Sequence, residues 1–78
     1  NPVSYSAQLS YTLSEIQKIT LSLYDLNGRL VNVFFKNQLQ SGFVDHTIEF
    51  PQNLAAGIYL LKVETASGMT QTVRVTKH

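Results

Sequence analysis

The side chains that could do chemistry are few, and their spacing works against them. A histidine beside a carboxylate is the usual core of a general-base site, because the carboxylate orients the imidazole. Asp45 and His46 are consecutive in the stretch Val44-Asp45-His46-Thr47-Ile48, which alternates like a strand. Neighbours along a strand point to opposite faces, so the two cannot form a direct dyad. His46 is therefore expected to be structural or at the surface, and the terminal His78 is expected to be disordered. The acids Glu15, Asp25, Asp45, Glu49 and Glu64 are dispersed. A calcium loop concentrates several oxygen ligands in a short span, and no stretch has that Asp/Asn density. The chain has no cysteine, which excludes a disulfide framework and Cys-ligated zinc. No catalytic residue, metal ligand or cofactor-binding residue is assigned, no cofactor is expected, and the chain is not read as an enzyme.

The aromatic residues offer a second possibility, stacking against sugar rings. Tyr5, Tyr11, Tyr59, Phe35 and Phe50 fall on the inward faces of predicted strands, so the core claims them first. Tyr24 and Phe34 fall on the opposite face, with Leu30 beside Tyr24. That outer apolar patch is open to two readings: an interaction surface, or a surface covered by a loop or by chain upstream.

The elements that position these groups are strands. Tyr5, Ala7, Leu9, Tyr11 and Leu13 alternate with polar residues, as do Ile19, Leu21 and Leu23 after a short connection at Ser14-Glu15. Asn27-Gly28 is a hairpin signal between apolar runs. A three-residue loop, Leu26-Asn27-Gly28, would pair Asp25 with Arg29, Leu23 with Val31, Leu21 with Val33 and Ile19 with Phe35. All the apolar pairs then share one face, which a one-residue slip would destroy. Gly28 takes the left-handed position, and Asp25 offers a turn its side-chain acceptor. Val44, His46, Ile48 and Phe50 share a face after a Ser41-Gly42 turn, and Pro51, which has no ladder donor, ends that strand. Leu54-Ala55-Ala56-Gly57 is a loop with one apolar anchor. Tyr59, Leu61 and Val63 form a fifth strand, and Met69 to Thr76 a sixth after Ser67-Gly68. The expected fold is all-β: a small immunoglobulin-like antiparallel β-sandwich of six to seven strands.

With 78 residues the chain is one domain, and a domain this small is marginal unless well packed. Charged residues are 14% of it, low for a soluble domain but suited to Ser/Thr-rich exposed strands. The net charge of +1 argues against nucleic acid as a partner. No apolar run reaches the length of a membrane span, so direct membrane insertion is not expected. The chain opens on Asn1-Pro2 and not on Met, and is read as a piece, residues 1–78, excised from a longer protein.

Over nearly its whole length the chain resembles a type A C-terminal sorting domain of the type IX secretion system of Bacteroidetes. The resemblance runs through Asn1-Pro2, Leu9-Ser10-Tyr11-Thr12-Leu13 and Leu23-Tyr24-Asp25-Leu26-Asn27-Gly28-Arg29-Leu30-Val31. It continues through Ser41-Gly42 before His46, and Leu54-Ala55-Ala56-Gly57-Ile58-Tyr59, to Thr72-Val73-Arg74-Val75-Thr76-Lys77. Asp25, Asn27, Gly28, Gly57 and Tyr59 are its structural motif residues. One departure is Pro51, where a polar residue such as Asp is common in the family.

The resemblance implies a secretion signal and no catalyst. It implies a covalently linked N-terminal cargo, passage from the periplasm through the outer-membrane translocon, and then removal by a surface sortase. The destination would be the cell surface or the medium. The terminal strand is the expected recognition element. Val73 and Val75 would pack inward, Arg74 and Lys77 would be exposed, and main-chain pairing along the edge would supply affinity. The alternative is an immunoglobulin-like or fibronectin-like accessory module of a secreted enzyme, serving as a spacer or a carbohydrate binder.

Overall fold

The computed structural model describes residues 6–78; the expectations for Asn1-Pro2 and Tyr5 lie outside the described residues. Four strands follow one another: β1 (Ser6–Asp25), β2 (Leu30–Glu49), β3 (Gly57–Thr65) and β4 (Thr70–Lys77). All pair antiparallel in one sheet, in the order β2-β1-β3-β4. No helix occurs among the described residues.

The expectation of six to seven strands in an immunoglobulin-like sandwich is corrected here. Residues expected to separate strands lie inside two continuous ones. Leu13 pairs with Gly42 and Gln17 with Gln40, so residues 14–16 of β1 stand opposite Ser41 alone. Gly42 has φ +69° at this point. Gly and Ser inside a strand mark a bulge as readily as a turn, and a bulge bends the strand without ending it.

The bend doubles the sheet over. A flat 20-residue strand would span about 66 Å, yet the longest dimension of the molecule is 40 Å and the shortest 17 Å. The far half of the β1–β2 hairpin lies over the near half, and the rings of His46 and Phe35 meet across the gap with centroids 5.1 Å apart. Leu9 and Ile48 from the far half and Phe50 beyond it close over Ile19, Leu21, Leu23, Tyr59, Leu61 and Val63 as one core. Ile19, Leu21, Leu23 and Leu61 are wholly buried.

The Asn27-Gly28 loop has the expected length. The Asp25 N–H donates to the Arg29 carbonyl at 3.0 Å, the Gly28 N–H donates to the Asp25 carbonyl at 3.1 Å, and Gly28 has φ +84°. The β3–β4 loop repeats the device: the Thr65 N–H reaches the Met69 carbonyl at 2.9 Å and the Gly68 N–H the Thr65 carbonyl at 3.0 Å. A Cβ on Gly28 would meet no atom within 4 Å, so the cost of adding one is conformational alone. Gly28→Ala is expected to destabilise the domain by roughly 1 kcal/mol in urea titration, with the sheet unchanged.

Beyond that loop the expected register does not hold. Leu23 lies opposite Asn32 and not Val31, Leu21 opposite Phe35 and not Val33, and Ile19 opposite Gln38 and not Phe35. Between Tyr24 and Ile19, β2 takes up an extra residue at each of three irregularities. A bulge sets consecutive residues on one side, and Phe34 and Phe35 both pack against the core as a result. Phe34 therefore does not belong to the outer patch expected for it.

Candidate functional site

Two motifs that lie apart in sequence meet at one end of the sheet. β4 is an edge strand, and its pairing with β3 sets Tyr59 opposite Val75 and Gly57 opposite Lys77. Val73 and Val75 pack partly buried against the core, and Arg74 is exposed. Lys77, expected to be exposed, is only 7% exposed. Its ammonium donates to the carbonyls of Pro51 at 3.3 Å and Gln52 at 3.4 Å, and to that of Leu54. A lysine ammonium carries three donors, enough for all three carbonyls. Strand parity explains the placement: Lys77 shares the inward face with Val73 and Val75, while Arg74 and Thr76 face out.

The same loop is held from other directions. The Leu54 N–H donates to the Pro51 carbonyl at 3.2 Å, and the Leu54 side chain packs on the core. The Tyr59 ring is buried, and its hydroxyl donates to the Ala55 carbonyl at 2.6 Å. Gly57 starts β3 with φ +150°, a conformation that suits glycine. Loop 51–56, the start of β3 and the end of β4 therefore form one unit. A ring held in this way is not a sugar-stacking platform.

At the same end of the sheet, where Asp25 of β1 pairs with Tyr59 of β3, Asp25 organises the hairpin loop. One carboxylate oxygen accepts the backbone N–H groups of Asn27 and Arg29, both at 2.9 Å, and the other accepts from Arg29 Nε at 3.2 Å. These contacts, that of the Arg29 backbone first, hold the carboxyl below the usual aspartate range.

Asp45 and His46 diverge. Asp45 points outward and accepts from Gln8 Nε2 at 2.7 Å and Ser10 Oγ at 2.8 Å, with Gln8 the larger cause of its lowered pKa. His46 points between the layers. Its Nε2 lies 3.4 Å from the Tyr11 hydroxyl and 3.2 Å from Gln40 Nε2, and that hydroxyl also donates to Gln40 Oε1. Burial raises the Tyr11 pKa, so its hydroxyl keeps its proton and serves as a donor. The three side chains form one polar cluster between the layers. Among the described residues no three of His, Cys, Asp or Glu stand close enough to hold a metal ion.

The fold and this site define a small β-module whose ordered features are loops, edges and faces. The family model described as "Secretion system C-terminal sorting domain" matches residues 1–77, and the chain belongs to that family, the sorting domains of type IX secretion. The family is a sorting-signal family and not a catalytic one, and membership implies export to the cell surface or beyond. Neither a curated protein nor a solved structure matches the chain.

Proposed function

We propose that this domain is the address of a cargo protein joined at its N-terminus. The type IX outer-membrane translocon takes it up from the periplasm, and a surface sortase then removes it, with no catalytic step performed by the domain itself. The match to the sorting family across residues 1–77 carries this reading. β4 supports it as the recognition element, because it is an edge strand with an open row of main-chain groups. Val73, Val75 and Lys77 hold the strand in place, and Arg74 is its outward basic side chain.

Fusing residues 1–78 to a periplasmic reporter, in a host with type IX machinery, is expected to send the reporter to the surface or the medium. Deleting residues 73–78 is expected to trap it in the periplasm. Arg74→Gln separates recognition from folding, because that side chain is exposed and its loss should be nearly neutral for stability. Normal export of Arg74→Gln would show that recognition does not rest on the basic side chain. Retention of the intact fusion would overturn the sorting assignment for this segment.

A further inference from the structure

Charge is divided between the two layers. All six lysines and arginines lie in residues 18–77, outside the far half of the hairpin. The far half, residues 6–17 and 41–49, contains Glu15, Asp45 and Glu49 and neither lysine nor arginine. Two of the cations are committed: Arg29 to Asp25, and Lys77 to its carbonyls. The other four, Lys18, Lys36, Lys62 and Arg74, gather on the outer face of the near layer. Lys18 and Lys36 line one shallow groove of about 400 Å3 with Tyr24, Leu30, Val33 and Glu64. Lys62 and Tyr24 line a second, of about 200 Å3, with Leu60. Lys62 Nζ stands 5.2 Å from the centre of the Tyr24 ring. Arg74 joins the same face, opposite Leu60 across the β3–β4 ladder. Glu64 is the only acid lining these grooves, and none of the four cations has a carboxylate at ion-pair distance among the described residues.

The centre of this face is apolar. Leu30 is 55% exposed and Val33 43% exposed, beside the partly buried Tyr24 and Leu60. An apolar centre within a charged rim is the layout of a protein interface. A phosphate-rich polymer would favour arginine forks, and three of these four cations are lysines. We propose that the outer face of β1, β3 and β4, with its β2 margin, docks an acidic protein surface that carries apolar side chains between its carboxylates. The partner would be met during export, so the biological sense of the proposal rests on the sorting assignment, but the contact itself can be tested apart from it.

The test is an amide chemical-shift titration of the 78-residue chain at low salt. The probes are a synthetic peptide alternating glutamate with valine, inorganic polyphosphate, and phosphatidylglycerol vesicles. The peptide is expected to shift the amides of Thr20, Tyr24, Lys62 and Thr72. The triple variant Lys18→Gln, Lys36→Gln, Arg74→Gln should weaken binding about tenfold, as the loss of three rim charges would. A control with Thr12→Glu, Ser14→Glu and Ser41→Glu changes net charge by the same amount on exposed sites elsewhere, and should bind within about twofold of the parent if local charge decides. Lys18→Gln alone keeps the test available if the triple variant loses its fold. No shifts on this face, or an equal loss in the control, would overturn the proposal. Tighter binding of polyphosphate or vesicles would overturn it in favour of a phosphate or lipid surface. Failure of the reporter to be exported would bear on the sorting assignment alone.

Discussion

Leu61→Ala is expected to remove about a quarter or more of the domain's stability. Leu61 is wholly buried at the middle of β3, between Leu23 of β1 and Val73 of β4. Core leucine truncations of this kind cost about 3 kcal/mol, because the transfer term and the residual cavity add. At roughly 0.05–0.15 kcal/mol per residue, a domain of this size holds about 4–12 kcal/mol in total. At the lower end about 1 kcal/mol would remain, and the variant would be partly unfolded at room temperature. Urea titration followed by tyrosine fluorescence reads this as a large fall in midpoint at constant slope. Val33→Ala, on the exposed outer face, should move the midpoint little by comparison. Equal effects for the two would mean that the far half of the hairpin does not close over Leu61.

Lys77→Met has the second large effect. Methionine keeps most of the buried stem and removes the ammonium. The carbonyls of Pro51, Gln52 and Leu54 then face a thioether instead of a charged donor. Hydrogen bonds to a charged group contribute about 1.5–3 kcal/mol, and acceptors left without one carry a penalty of their own, so a loss of about 2 kcal/mol is expected. Hydrogen exchange should localise the change: the Leu54 amide, bonded to the Pro51 carbonyl, should lose protection before the amides at the middle of β3. Unchanged stability in Lys77→Met would return Lys77 to the surface role expected from sequence. The consequence for export experiments is direct. A substitution at Lys77 changes the fold of the loop as well as the charge of the terminus, whereas Arg74→Gln changes the charge with little effect on the fold.

Much of the all-β character is local and could be read from residue order. Period-2 alternation placed Ile19, Leu21, Leu23, Tyr59, Leu61 and Val63 in the core, and all are buried. Asp25, Asn27 and Gly28 specify their loop by themselves, because its hydrogen bonds close within five residues. The same alternation, carried one step past Val75, puts Lys77 on the inward face; its positive charge argued for the surface, and parity prevailed. Three things were decided only by tertiary structure. Whether Ser14-Glu15 and Ser41-Gly42 end strands or bend them depends on each having the other as its partner across the ladder. The register past Leu23 depends on three irregularities in β2 that no local pattern announces, and these bring Phe34 inward. The carbonyl cage of Lys77 and the basic outer face depend on strands far apart in sequence lying side by side. Local propensity sets which residues can share a face. Only the doubled-over sheet determines which faces are covered, since burial comes from the layer that folds across.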